Sequence, residues 1–453
     1  MQERIGALIL AAGKGTRMKS DAPKVLRTLL GLPMAWYVHR AVSALCADRV
    51  LTVVGHRAEL VEAAFPELAG RFVLQAEQLG TGHALSVALP RLLGAGYSHV
   101  LVVNGDAPLV TADSLGRFVE AALAARADVA FVSIELPAPG AYGRVVRQGG
   151  GVRIVEAKDF DPARDGAPTG EINAGVYCLR LESVAPLLGT LDNDNKSGEY
   201  YITDLVGLAG AAGLAVAAVN RGHDEAYLGI NSPRELVAAE EILRRRIVDA
   251  HLEAGVVIRA AAAARIGPQA AIAPGAELCG PVELYGTTTI GSGAIVASHC
   301  VLVDAVIDDQ ATIHPFCHIE DARVSTGCQV GPYARLRPKS VLEAGARVGN
   351  FVEMKKSRLG PGAKAGHLAY LGDAEVGAGA NIGAGAITCN YDGTHKHRTV
   401  IGEGAFIGSN SALVAPVAIG AGALVGAGSV ITSDVPDNAL ALGRGRQVIK
   451  PRK

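Results

Sequence analysis

The stretch Ile401–Ile431 reads IGEGAFIGSNSALVAPVAIGAGALVGAGSVI. Within it Ile401, Ile407, Leu413, Ile419, Val425 and Ile431 recur every sixth residue, and Gly402, Gly408, Gly420 and Gly426 follow directly. A six-residue period matches neither the 3.6 of an α-helix nor the 2 of a half-buried strand. It is the mark of a parallel β-helix, in which three hexads close one triangular coil and each aliphatic residue points inward. Upstream, the same period links Ile266, Ile272, Leu278, Leu284, Ile290, Val296 and Leu302. It resumes one residue short at Ile307, Ile313 and Ile319, and again at Val324, Val330, Leu336, Leu342 and Val348. With about eighteen residues per coil and a rise of roughly 4.8 Å, on the order of nine coils and a prism of about 45 Å are expected. The period does not fix handedness. It is expected to break at Met354–Leu371 and Cys389–Thr399, which are rich in Lys, His, Asn and Tyr. Excursions of that kind are where a solenoid carries chemistry.

The first half obeys other rules. Ala7–Ala12, Arg49–Val54, His99–Val103 and Val129–Ile134 are apolar runs suited to buried strands. Between them Met34–Leu45, Ala58–Phe65, Gly82–Leu93 and Ser114–Ala125 carry helical spacing. Such alternation predicts an α/β, Rossmann-like domain with a mainly parallel sheet covered on both faces. Ligands then bind beyond the carboxyl ends of strands, where Lys14, Arg17, Asn104 and Asp106 fall. Ser232-Pro233 reads as an N-cap and first helical residue, and Arg234–His251 as one long helix. The expected division is therefore 1–232, a helical linker 233–253, and a β-helix over 254–453. The basic run Arg244–Arg246 is expected on a solvated helix face rather than in an RNA patch.

Composition narrows the function. The formal net charge of the 453 residues is -1, which argues against a nucleic-acid binder. The polar start Met1–Arg4 and the short apolar run Ile5–Ala12 make neither a secretory leader nor a membrane span. Seven cysteines with no CxxC pair suggest reduced thiols and a cytoplasmic protein.

Leu10–Met18 (LAAGKGTRM) is a glycine-rich turn followed by Pro23-Lys24. Glycines let backbone approach phosphate oxygens, and Lys14, Arg17 and Lys24 add cations. It is neither a dinucleotide fingerprint nor a Walker A loop. Alone it is equally a tight strand-to-helix turn. Further strings follow in order: Leu74–Ala84 (LQAEQLGTGHA), Gly105-Asp106, Tyr142–Arg144, Val155-Glu156, Glu171–Gly175 (EINAG) and Gly198–Asp204 (GEYYITD). In the repeat half stand Arg335–Pro338 (RLRP), Gly349–Lys356 (GNFVEMKK), Ala365–Asp373 (AGHLAYLGD), Asn381–Gly385 (NIGAG) and Cys389–Gly393 (CNYDG).

Together these strings resemble, over nearly the whole chain, the bacterial bifunctional enzymes of UDP-N-acetylglucosamine synthesis, a uridylyltransferase joined to a hexapeptide acetyltransferase. The resemblance implies a left-handed β-helix and a homotrimer. It implies that glucosamine 1-phosphate is acetylated from acetyl-CoA, and that N-acetylglucosamine 1-phosphate then takes UMP from UTP with Mg²⁺. The product feeds peptidoglycan and lipopolysaccharide synthesis. By resemblance, Asp106 and Asn231 are the metal ligands. Leu10, Ala11, Ala12, Gly13, Lys24, Asn104 and Gly105 form the nucleotide loops, with Arg17 and Lys24 as the working cations. Gln75, Gly80 and Thr81 contact uracil, and Gly143, Glu156 and Asn173 the sugar. His367 is the base for acetyl transfer, with Glu353 to orient it. Arg337 and Lys355 hold the sugar phosphate. Tyr370, Asn381, Asn390 and Tyr391 line the glucosamine site, while Ala384, Ser409, Ala427 and Arg444 border acetyl-CoA. The chemistry suits these types, since imidazole titrates near neutrality and hard oxygens suit Mg²⁺. Two rival readings are a nucleotidyltransferase with a merely regulatory β-helix and a non-catalytic assembly subunit. The GHLAYLGD and NYDG strings weigh against the first, and Arg17, Lys24, Asp106 and His367 against the second. Neither membrane nor nucleic acid is an expected partner.

Overall fold

The computed structural model describes residues 4–19, 21–167 and 169–452, with only the backbone of Thr16. Of the polar start, only Arg4 falls within them. The chain divides into two compact units, Met1–Ile242 and Leu243–Lys453. The dividing point lies inside the helix Pro233–Glu253.

In the first unit the central strands lie in the order Val216–Asn220, Val129–Glu135, Glu171–Arg180, His99–Asn104, Ile5–Leu10, Val50–Val54 and Phe72–Leu74. All neighbours pair parallel except Glu171–Arg180, which runs antiparallel to both of its own. Alternate residues of the first strand serve opposite faces. Ala7 and Ile9 pack with the helices Met34–Cys46 and Ala112–Ala124, and Leu8 with Thr81–Gly94 and Asp204–Ala211. All of these are buried, so a continuous apolar run is what the strand requires. Chain order reverses beside Ile5–Leu10, since the next strand lies on one side of it and His99–Asn104 on the other. That switch point leaves a crevice at the strand ends. There Leu10 is in register with Asn104, and the Gly105 N–H donates to the Leu10 carbonyl at 2.8 Å.

The second unit is a left-handed parallel β-helix with walls of 11, 10 and 9 strands. Each wall adds a column of inward side chains to its core; that of the first wall runs from Ile258 through Leu278, Val296, Ile313, Val330 and Val348 to Ala365 and Ile382, then Ile407 and Val425. The expected break at Met354–Leu371 does not occur. Val348 pairs with Ala365, Met354 with Leu371, and Leu359 with Val376, all buried and in regular register. The period was hidden because Met and Ala hold inward positions and some steps are five residues. The second expected break is real. Asn390–Arg398 leaves the coil as a loop between the strands Ile387–Cys389 and Thr399–Ile401. The basic run also departs from expectation in part. Arg245 and Arg246 are exposed, but Arg244 is buried and donates to the Ala261 carbonyl at 2.8 Å.

One corner of the prism carries a run of left-handed residues. His299, Phe316, Tyr333, Phe351 and Leu368 all have φ between +47° and +62°. The first four rings stack at 4.7, 4.9 and 5.2 Å, about the coil spacing, and Phe316, Tyr333, Phe351 and Leu368 are exposed. Stacking offsets part of the strain of a left-handed non-glycine residue. On the next coils the corner residues become Gly385, Asn410 and Gly428.

Candidate active sites

The crevice of the first unit is a cavity of about 520 Å³. Leu10, Ala12, Gly13, Lys24, Gln75, Gly80, Thr81, Asn104 and Asp106 line it, as the sequence reading grouped them. Lys14, read as a cation of the glycine-rich turn, lines it too, as do Gln78 and Glu199, which were not assigned. Ala11 is buried beneath the loop. The Lys24 ammonium is ion-paired with Asp106 and donates to Asn231 Oδ1 at 3.0 Å. Arg17 donates to the same Asn231 oxygen at 2.8 Å. Residues 106 and 231 therefore meet although 125 positions separate them.

Local structure explains the meeting. The Ser232 hydroxyl accepts from the Glu235 N–H at 3.3 Å, and the Glu235 carboxylate accepts from the N–H groups of Ser232 and Asn231 at 3.1 and 2.6 Å. This capping box starts the long helix and fixes the backbone of Asn231. Tyr142 braces the same turn by donating to the Gly229 carbonyl at 2.8 Å, and burial with nearby Glu235 and Asp106 pushes its hydroxyl up to about 12. Among the described residues no three His, Cys, Asp or Glu side chains cluster as a metal cage. A carboxylate and an amide oxygen converging on one cation are nonetheless the hard donors that Mg²⁺ takes, with the rest from water and phosphate.

Gly80 joins two of the motif strings. Its φ is +110°, and a Cβ there would sit 2.5 Å from the Tyr200 carbonyl oxygen. The Tyr200 N–H donates to Leu79, the Gly82 N–H to Tyr200, and the Ile202 N–H to the Thr81 hydroxyl at 3.0 Å. LQAEQLGTGHA and GEYYITD are thus held edge to edge. Gln75 is buried, and its amide donates to the Gly80 carbonyl at 3.0 Å.

Gly143, Glu156 and Asn173 are not among the residues lining this cavity. They form a group of their own. The Asn173 N–H donates to the Gly143 carbonyl at 2.9 Å, and its side chain donates to the Tyr177 hydroxyl at 2.7 Å. Glu156 accepts from the Thr203 hydroxyl at 3.1 Å, and burial pushes its carboxyl above the usual range. Glu156, Thr203 and Asp204 line a second cavity of about 390 Å³. Tyr177 and Thr203 carry no motif signal of their own beyond the strings around them.

On the β-helix, His367 is exposed at the corner described above. Its Nδ1 is bonded to Asn350 Oδ1 at 2.5 Å. Glu353, expected to orient it, has its described side-chain contact elsewhere. Glu353 is opposite Tyr370 and accepts from Arg337 at 2.8 Å. The coil step of 17 residues puts Asn350, not Glu353, opposite His367, a relation the sequence contains but the motif strings do not announce. Tyr370 Oη and Asn390 Nδ2 both approach Gly372, where a Cβ would lie 2.6 and 2.7 Å from them. Asn390 donates to Asp373 at 2.5 Å. Lys396, unassigned by the sequence reading, extends over the Tyr391 ring at 5.2 Å and closes the loop. Asp392 stabilises that loop, its carboxyl held well below its usual range by the His395 N–H and the His397 ring. Lys355 and Asn381 lie on adjacent walls, on the strands Glu353–Lys355 and Asn381–Ile382.

Ala384, Ser409, Ala427 and Arg444 climb the His367 corner coil by coil. The Asn410 N–H donates to Ala384, the Gly428 N–H to Ser409, and the Arg444 guanidinium to Ala427, at 2.8, 2.8 and 2.7 Å. This ascent coincides with the change from bulky to small corner residues. An open edge therefore runs from His367 to a cation, a shape suited to a long thin ligand with an anionic end.

Comparison with known proteins agrees with this division. Residues 7–149 match the MobA-like NTP transferase domain, and residues 398–433 the bacterial transferase hexapeptide (six repeats). The chain is 59% identical over 449 residues to "Bifunctional protein GlmU" of Nitratidesulfovibrio vulgaris (strain DSM 19637 / Miyazaki F), covering 99% of this chain and 98% of that protein. It is 56% identical over 447 residues to the protein of the same name from Oleidesulfovibrio alaskensis, covering 98% and 97%. With that of Lawsonia intracellularis it shares 45% over 442 residues, covering 97% and 96%.

Proposed function

The chain belongs to the bifunctional GlmU family, joining a nucleotidyltransferase to a hexapeptide acetyltransferase, and from that premise we propose how its residues divide the work. The second unit acetylates glucosamine 1-phosphate with acetyl-CoA. The first then joins N-acetylglucosamine 1-phosphate to UMP from UTP and releases pyrophosphate. The observation that carries the reading is the assembly of two separate polar constellations from the two sets of motif strings, one at the switch point and one along the β-helix corner.

For uridylyl transfer, Arg17 and Lys24 shield the repulsion between sugar phosphate and nucleotide, so that an oxygen can approach the α-phosphorus in line. Gln75, Gly80 and Thr81 present a rigid polar wall to the base, and Gly143, Glu156 and Asn173 serve the sugar. Asp106 and Asn231 would hold Mg²⁺, which would supply neutralisation of phosphate charge. Lys24, which lines the same crevice, faces the phosphate oxygens.

For acetyl transfer, Arg337 and Lys355 grip the phosphate, while Tyr370, Asn381, Asn390 and Tyr391 position the amine. His367 receives the proton as the C–N bond forms and the coenzyme thiolate leaves. Acetyl-CoA lies along the small-residue edge past Ala384, Ser409 and Ala427, with Arg444 at its phosphates. The exposed apolar ladder Phe316–Leu368 ends at this site and supports a homotrimer in which neighbouring copies cover the corner.

The test is to incubate the protein with glucosamine 1-phosphate, acetyl-CoA, UTP and Mg²⁺, omitting one at a time and weighing the products. UDP-N-acetylglucosamine should require all four, and N-acetylglucosamine 1-phosphate should accumulate when UTP is omitted. Light scattering of the same sample should give three chains per particle. A fully active monomer would exclude the shared corner.

A further inference from the structure

We propose that Asn350 is the positioning residue that makes His367 a base, by fixing which ring nitrogen carries the proton; this rests on His367 being the base for acetyl transfer. An amide oxygen cannot donate a hydrogen bond. With Asn350 Oδ1 at 2.5 Å from His367 Nδ1, that nitrogen carries the proton and Nε2 keeps its lone pair. Nε2 has no partner among the described residues, so it is the nitrogen presented to an acceptor amine.

The backbone holds the pair in place. Residues 350 and 367 are in register on adjacent coils, and the Leu368 N–H donates to the Asn350 carbonyl at 3.0 Å. Just before them the coils approach so closely that a Cβ on Gly349 would lie 1.8 Å from the Gly366 carbonyl oxygen. Only glycine fits there, and the close approach brings the two side chains within a short hydrogen bond. Asn350 and His367 thus leave rigid strands side by side, and the imidazole cannot swing without losing its partner. The chemical choice also matters. A neutral amide fixes the tautomer without adding the charge that a carboxylate would add.

This separates two roles that substitution can separate. Asn350→Ala removes the acceptor and frees the ring to adopt the other tautomer. Turnover for acetyl transfer should fall at least about tenfold, with the KM for glucosamine 1-phosphate within about twofold. Asn350→Asp keeps an oxygen in place and adds a negative charge, which favours the imidazolium. It should retain more turnover than Asn350→Ala, and the acid limb of its kcat profile should move to higher pH. A merely structural asparagine would not move that limb. Uridylyl transfer by the same full-length preparations serves as the folding control and should be unchanged. His367→Ala completes the set. If it keeps acetyl transfer, the base reading itself falls. If it is inactive while both Asn350 variants show wild-type turnover and pH profiles, the base stands and the role assigned to Asn350 is overturned.

Discussion

Lys24 bridges Asp106 and Asn231, the pair proposed above to hold Mg²⁺, so single substitutions there should act on one activity only. Asp106→Ala should lower uridylyl transfer at least about 100-fold and leave acetyl transfer within about twofold, with both rates read on one preparation. Excess Mg²⁺ should not restore the loss, because a ligand is missing rather than merely weakened. Asp204 offers a different kind of test. Its burial, with Asp192 and Asp159 nearby, pushes its carboxyl up to about 6. A carboxyl raised by folding binds its proton more tightly in the folded chain. The stability this contributes is present at low pH and is lost as pH rises from the ordinary carboxylate range through about 6. Asp204→Asn should therefore raise the melting temperature of the first unit at pH 7.5 relative to wild type, with a smaller gain or a loss at pH 5. A parallel shift at both pH values would exclude the titration of Asp204 as its cause.

At the scale of elements, Gly80 ties the loop before one helix to the segment before another. Gly80→Ala meets both a left-handed φ and the Tyr200 carbonyl, so the strings LQAEQLGTGHA and GEYYITD should part. The expected result is a KM for UTP raised at least about tenfold and a first-unit melting point lowered by several degrees. Unaltered UTP kinetics would mean that the join does not shape the site. Such elements were legible to different degrees. The hexads announced themselves wherever Ile, Leu or Val faced inward, because six-residue spacing of large aliphatics has few other causes. Around His367 the signal failed, since Met354 and Ala365 are poor markers and the polar residues of the site crowd the outward positions. Ala11–Gly13 and Gly105-Asp106 could be grouped because they follow the buried strands Ile5–Leu10 and His99–Asn104. The partner of His367 could not be found from motif strings, because it depends on a coil step of 17 rather than 18. The same step, applied backward from 367, points to 350.

The whole molecule contains two compact units whose cores share no residue among the described ones. A fragment ending near Arg246 should keep uridylyl transfer within a few-fold and lack acetyl transfer, and its melting should match the first-unit transition of the full chain. A folded fragment inert toward UTP would break the assignment of activities to units. The β-helix half poses a problem of another kind. Each coil is a template of unpaired N–H and C=O groups for the next, so a bare end invites another copy, and contacts made head to tail do not close. The chain covers the first end with a helix and follows the last coil with a charged tail. At the first, Val248 of the long helix is buried with the prism core beside Ile258. Beyond the last strand, Leu440–Ala441, the chain leaves as an exposed tail bearing Arg444, Arg446, Lys450 and Arg452. The prism is thus a measured length of what could otherwise be a fibre, and a covered end is what separates an enzyme from a filament.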